Sequence, residues 1–382
     1  KMDIISLCKQ IEDPRMDRRK VHDMATIIYI AVAAVICGAQ SWNEIEEFGK
    51  AKFDFFQKRL PGLSSIPSHD TFNRFFNIIK PAYFELVFRN WVKEVCGKIS
   101  GVVAIDGKLM RGPSKCDQEH TTGREGFKLW IVSAWAAENG ISLGQVKVDD
   151  KSNEITAVPL LIKALDLEDC IITIDAMGCQ KKITREIIER KSNYIIAIKD
   201  NQKNILKDIK KALDTYKGYT RKGIATVGRY NTENTGHGRI EKRRCTVLSM
   251  GNLTKGIFGD KFEGLQSVIS MESERVISVT GECSVETRYF ISSLDASDPE
   301  RIALAIRQHW GIENNLHWQL DVTFGEDCSR KIKNAAQNFS VVTKMTLSML
   351  KNNKTKGSIN LKRLKAGWDE NFLETLLQEN NF

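Results

Sequence analysis

Two aspartates each close a run of strand-forming apolar residues, Asp106 in VVAIDGK and Asp175 in IITIDAMG, 69 positions apart (175 − 106). An ionised carboxylate at the end of a buried strand is costly unless a cation or a chemical task compensates it. One such acid is commonly a cap or turn residue. Two in one sheet are harder to explain that way. On neighbouring strands both point to one spot, and their repulsion calls for a divalent cation, most naturally Mg2+ with Mn2+ as a substitute. A helix packed on that edge should bring a third acid. Glu313 in HWGIENNLHW is the choice: it stands among Trp310, Ile312, Leu316 and Trp318, with His317 one helical turn on. A solvated helix glutamate is the ordinary alternative, and Asp321, Glu326 and Asp327 are rivals for the same role.

Three carboxylates holding two Mg2+ ions about 3.5–4 Å apart serve in-line phosphoryl transfer on a phosphodiester. That chemistry needs no Ser, His or Cys nucleophile, and the chain carries no GxSxG, P-loop or HExxH motif that points elsewhere. The charge agrees with a polyanionic partner: 57 Lys+Arg against 48 Asp+Glu give +9. Candidate DNA contacts are Lys108 and Arg111 after the first acid, Lys199 and Lys203 after the last core strand, and His237, Arg239 and Arg243 in TGHGRIEKRR. His309, Asn314 and His317 flank Glu313 and join them. For any single lysine simple solvation is the default reading, and alternate members of the basic strand face opposite sides.

The elements that must position these groups are legible in the hydrophobic pattern. Residues 1–98 read as a helical domain, with a capping box at SWNE and Ser68 as N-cap of a helix that buries Phe72, Phe75 and Phe76. The polar face of that helix, with Thr71, Asn73 and Arg74, suits a DNA groove and an ordinary surface equally. The pattern then changes to three meander strands followed by alternating helices and strands, a mixed sheet with helices packed on it, over 99–205 and 287–350. Residues 206–286 read as an inserted β-rich subdomain of short runs, and 351–382 as a peripheral tail. The carboxyl edge of such a sheet is where ligands gather. Trp130, Trp135, Trp310 and Trp318 read as core. Nine scattered cysteines without a CxxC pair read as reduced thiols of a cytosolic protein and disfavour zinc, and MATIIYIAVAAVICGA reads as a buried helix, so no membrane partner is expected.

The blocks DGKLMRG, KSNEITAVPLL, ITIDAMGCQ, YIIAIKDNQ, HGRIEKRR and HWGIENNLHWQLDVTFGED resemble, in order, those of the ISAs-type transposases of bacterial insertion sequences, which include the H-repeat-associated proteins. The resemblance runs from about residue 4 to 370. It implies an α/β fold with an RNase H-like mixed sheet flanked by helices, an N-terminal helical domain and a β-rich insertion. It maps the catalytic triad onto Asp106, Asp175 and Glu313, all present here. It further implies Mg2+-dependent cleavage and transfer of double-stranded DNA, element ends and target alike, by a homo-oligomer in the bacterial cytosol, associated with the nucleoid. One departure is visible: related transposases carry a Tyr, Arg, Glu, Lys signature, and the matching places around Glu313 hold Ile306, His309 and Leu320. The alternatives are a nuclease that never joins DNA and a non-catalytic DNA-binding protein on the same fold.

Overall fold

A computed structural model describes residues 5, 13, 15, 20–112, 129–148, 154–216, 225–236, 238–249, 251, 258 and 261–378. The described helices that matter below are, in chain order, α1 (Met24–Ile36), α2 (Trp42–Ala51), α3 (Phe53–Arg59), α4 (His69–Ile78), α5 (Pro81–Cys96), α6 (Glu154–Ala164), α7 (Lys181–Glu189), α8 (Lys203–Tyr216), α9 (Pro299–His309), α10 (Trp318–Val322), α11 (Lys333–Asn352), α12 (Ile359–Trp368) and α13 (Glu370–Gln378). The strands are β1 (Val102–Met110), β2 (Leu129–Ala136), β3 (Ile141–Val148), β4 (Ile171–Ile174), β5 (Asn193–Ile198), β6 (Thr226–Gly236), β7 (Arg239–Ser249), β8 (Ser267–Ile277) and β9 (Cys283–Ser292).

These strands form one mixed sheet in the order β3-β2-β1-β4-β5-β9-β8-β7-β6. The apolar runs VVAI of β1 and IITI of β4 are buried throughout, as parallel strands covered on both faces must be. β1 pairs parallel with β4, and β4 with β5. β2 and β3 form an antiparallel hairpin through the expected Glu138–Gly140 turn, where Gly140 takes φ 62. The mixed α/β sheet flanked by helices that the sequence leads one to expect is therefore present, with β3-β2-β1-β4-β5 as one end of its order. The β insertion differs from its reading as short runs. β6, β7 and β8 are 11 residues each, pair antiparallel in long register, and extend the same sheet through β9. Alternation is weak in those strands: β6 is mostly exposed, and β7 and β8 concentrate their buried residues at one end, Cys245–Leu248 and Ser267–Ile269, so the period-2 signal that marks strand length is missing.

By internal contacts the chain divides into two units, one of residues 1–99, 107–151 and 312–382, the other of 100–106 and 152–311. In the first, α11 packs against α1, α4, α5 and β3. Every residue of α1 is buried, and Asp23 caps it by accepting from the Thr26 N–H at 2.6 Å. The Ser41–Glu44 capping box and the Ser68 cap form as the sequence predicts. The C-terminal helices are integral, unlike the expected peripheral tail. Arg363 donates to Val35 O at 3.0 Å at the end of α1, and Lys362 donates to Leu350 O (2.9 Å) and Asn353 O (2.7 Å) at the end of α11. Both cations cap helix carbonyls that lack intrahelical partners, a use that a Lys/Asn-rich sequence does not advertise. Among the described residues no helix is long and apolar enough to cross a membrane.

Lys331 shows how tightly this unit is packed. Its ammonium is buried, donates to Gln40 O, and lies 3.8 Å and 4.7 Å from the ring centres of Phe339 and Trp42. Burial disfavours the charged form and, outweighing the attraction of the Glu44 carboxylate, pushes the pKa from 10.5 down to about 7. The unfolded chain therefore binds more protons than the folded one between about pH 7 and 10.5, and stability should rise with pH across that window, by up to about 1.4 kcal/mol per pH unit from this group. Urea titrations from pH 7 to 9 should show this rise in the wild type and a flatter profile in Lys331→Met.

Candidate active site and nucleic-acid contacts

In the second unit the β1–β4 register runs Val102↔Ile171 to Ile105↔Ile174, so Asp106 and Asp175 follow the last paired residues of two adjacent parallel strands, Asp106 within β1 and Asp175 just past the end of β4. Strands lie roughly 4.8 Å apart, so the backbones that carry the two acids are neighbours. Both are half-buried. Asp175 stays extended (φ −68°, ψ 179°), and its Oδ1 accepts from the Met177 N–H at 2.9 Å, opening a turn over Ala176–Gly178. The apolar residues after the acid have a packing reason. A Cβ on Gly178 would come 2.3 Å from Ile174 Cγ2, so this turn folds back onto its own strand only with glycine. Asn201 Nδ2 donates to Ala176 O (2.8 Å) and Gln202 Nε2 to Cys179 O (3.1 Å), so the loop after β5 fixes the turn that aims Asp175. Gly178→Ala should cost about 1–3 kcal/mol through overpacking, read by urea unfolding.

Glu154, in the first turn of α6, is a further acid beside Asp175. Burial, and then the negative charge of Asp175, raise its pKa above the ordinary carboxylate value. Sequence reasoning passed over it and over Asn201 and Gln202, although all three stand in the blocks NEITAVPLL and KDNQ. On the same face as Asp175, two residues earlier, Thr173 Oγ1 lies 3.0 Å from His309 Nδ1, which ties the end of α9 to β4. Trp310 follows, 46% exposed, with the Arg288 guanidinium 4.6 Å above its ring centre. The expected core role holds for Trp135, which is buried, and not for Trp310, for Trp318, 54% exposed, or for Trp130, 39% exposed.

In the first unit Glu313–His317 form a single wide π-type turn, a feature that recurs at functional sites. His317 is buried, and its Nδ1 lies 3.6 Å from Glu313 Oε2, while the Glu313 side chain is 52% exposed. Asn314 is exposed in the same turn. Carboxylate and imidazole are thus offered together. The rivals of Glu313 are engaged elsewhere in this unit. Lys108 Nζ pairs with Asp321 and with Glu326 (Oε2, 2.7 Å), and the Arg111 N–H donates to Asp327 Oδ1 at 3.2 Å. Burial pushes the Glu326 carboxyl up, but Lys108 and Lys344 outweigh it and hold the pKa below its ordinary value.

The basic candidates separate by their partners. Lys108 is only 13% exposed and committed to its acids. Arg239 (3.0 Å), Arg243 and Arg275 (3.2 Å) converge on Glu241, so much of the apparent charge of TGHGRIEKRR is answered by acids of its own and neighbouring strands. Arg111, Lys199 and Lys203 are exposed. His237 lies outside the described residues.

With this geometry in view, the class of protein follows from comparison. Residues 98–350 match the transposase DDE domain and residues 5–92 its DDE_Tnp_1-associated domain, and the chain belongs to the DDE transposase family. It is 37% identical over 383 residues to "Putative transposase YncI" of Escherichia coli O157:H7, covering 98% of this chain and 94% of that one. It is 34% identical over 372 residues to "H repeat-associated putative transposase YhhI" of Escherichia coli (strain K12), covering 96% and 95%. The family resemblance read from the sequence is thereby established. Among solved structures, the cryo-EM structure of the piggyBac transposase synaptic complex with hairpin DNA covers 99% of this chain and 78% of its own, at 13% identity and a TM-score of 0.43.

Proposed function

We propose that this chain binds the ends of its own insertion element as duplex DNA and performs divalent-metal-dependent phosphodiester cleavage and strand transfer, with Asp106, Asp175 and Glu313 as the catalytic acids. The observation that supports the reading is the Ile105↔Ile174 register, after which Asp106 and Asp175 come next on neighbouring parallel strands in a member of the DDE family. Hard oxygen donors of this kind fit Mg2+ or Mn2+. Asp106 and Asp175 would hold the ions, and Glu313, whose carboxylate is half-exposed beside His317, would complete the set. When bound, the ions activate a water or a 3′-hydroxyl and neutralise charge on the leaving oxygen. The chain's own part is positional: the turn pinned by Asn201 and Gln202 aims Asp175, and the Thr173–His309 contact seats α9 against β4.

The exposed Arg111, Lys199 and Lys203 are assigned to phosphate contact, with Asn314, His317 and His309 near the reacting strand. Arg239 and Arg243 are assigned to the same task in exchange for their pairing with Glu241. The helical domain 1–98 takes part in DNA binding, and the active complex is a homo-oligomer acting in the cytoplasm at the nucleoid. The deciding assay supplies labelled element ends carrying a free 3′-hydroxyl, a target duplex and Mg2+ or Mn2+. Joined product supports a transposase, cleavage without joining indicates a nuclease, and unchanged binding with no product indicates a non-catalytic DNA-binding protein.

A further inference from the structure

The nine-stranded sheet has two edge strands, β3 and β6. An edge strand turns the N–H and C=O of every second residue away from its one neighbour, and those groups need a partner or water. At β3 side chains of the helices packed on it supply partners: the Ser142 N–H donates to Ser348 Oγ (3.4 Å) and the Gln145 N–H to Glu85 Oε2 (3.4 Å), so α11 and α5 close that edge. β6 is different. It pairs with β7 over the whole of Thr226–Gly236 without a register shift, and most of its residues are exposed. Edges in proteins are commonly blunted by lysine, proline, a bulge or a covering element. TVGRYNTENTG has no lysine and no proline, and its ladder has no bulge. The strand is also held firm. A Cβ on Gly228 would come 2.4 Å from Ala296 O, so β6 lies tight against the segment leading into α9, and Tyr230 OH donates to Glu300 Oε1 at 2.9 Å. A long, straight, fixed edge is a template for one more strand.

The charges of β6 select which strand. It carries two charged residues, Arg229 and Glu233, placed symmetrically about Asn231. A second β6 laid antiparallel, with a two-fold axis at Asn231, sets Arg229 opposite Glu233 of the other copy twice, Tyr230 opposite Thr232, and Asn231 opposite itself. Unlike charges directly across a ladder are favourable, and axes at Arg229 or Glu233 would set like charges together instead. Both charges already have contacts inside the chain, Glu233 with Lys242 at 3.9 Å; the two-fold adds an unlike charge across the axis and requires neither to be idle. Leu304 of α9, 45% exposed, lines a small hollow with Tyr230 and Thr232, so an apolar side chain stands beside the pairs next to the axis.

We infer that β6 is a homodimerisation edge: two copies of this chain pair their β6 strands antiparallel about Asn231 and join their sheets into one. Because the β3 edge is closed, pairing stops at two copies and does not propagate. The inference gives a surface to the homo-oligomer of the proposed function.

Sedimentation velocity of the full chain over a concentration series, without DNA or metal, should show a reversible monomer–dimer equilibrium. Arg229→Glu and Glu233→Arg each set like charges across the axis twice and should weaken the dimer by about tenfold, while the swapped Arg229→Glu/Glu233→Arg should restore it. Asn231→Cys gives an independent reading, since residues directly opposite in an antiparallel pair have Cα atoms about 4.5–5.5 Å apart, within reach of a disulfide. Mild oxidation should link position 231 of the two copies, identified by peptide mapping, whereas Asn234→Cys, which faces Gly228 of the other copy, should not link to itself. A monomer at every concentration, a charge swap as weak as its parents, or self-linking at 234 in place of 231 would overturn the inference. Failure of the transposase reading looks different: a dimer linked at 231 that neither cleaves nor joins element ends under Mg2+ or Mn2+.

Discussion

Asp175→Ala is expected to lower strand cleavage by on the order of 10³-fold or more, while affinity for duplex DNA measured without metal stays within about twofold. The estimate follows from the several kcal/mol of charge stabilisation that a bound cation supplies, at about 1.4 kcal/mol per decade of rate. Alanine removes two things at once, the carboxylate and the acceptor for the Met177 N–H. Asp175→Asn separates them, because its side-chain oxygen can still accept that bond and hold the turn over Ala176–Gly178. If the loss is electrostatic, Asn should be nearly as inactive as Ala while melting like the wild type. If Asn cleaves at close to the wild-type rate, Asp175 is a turn residue and the acid role is wrong.

The second large effect concerns the fold around Lys108. Its ammonium joins the buried Glu326 to Asp321, and Glu326 is also linked through Ser340 (3.3 Å) to Lys344 (2.7 Å). Lys108→Met leaves Glu326 buried beside fewer cations, and breaking a buried pair from one side typically costs about 3–5 kcal/mol. Urea unfolding should show a loss of that order. Lys108→Met/Glu326→Gln should recover a large part of it, because the uncompensated charge goes with its partner. Equal destabilisation by the single and double variants would mean that packing, rather than charge, sets the value of this site. The same contact turns Lys108 toward Asp321 and Glu326 despite its place after the first acid.

The two aspartates were legible because a charge ending an apolar strand violates the pattern around it, and the parallel register then brings both to one edge. Caps at Ser41 and Ser68 were legible because their chemistry is local. What stayed hidden depends on partners distant in the chain. The acids that neutralise Arg239, Arg243 and Arg244 sit on β7 itself and on β8, and strand register cannot be read from composition. Lys362 and Arg363 resemble surface cations until the helix ends they cap are known. Trp310 and Trp318 look like core from their apolar and helical context, yet Trp310 sits at the C-cap of α9 and Trp318 just after the wide turn at Glu313–His317, and both are exposed. Glu154 was overlooked because the first turn of a helix is an ordinary place for an acid, and only the fold sets it against Asp175.

The central claim is that Asp106, Asp175 and Glu313 hold divalent ions jointly, and Mn2+ binding followed by electron paramagnetic resonance on the DNA-bound full chain tests it most directly. Asp106→Asn, Asp175→Asn and Glu313→Gln should each weaken the tightest Mn2+ site by at least about tenfold, with Asp321→Asn leaving it largely unchanged. A Glu313→Gln protein that binds Mn2+ like the wild type, while the two aspartate variants do not, would contradict the three-acid site.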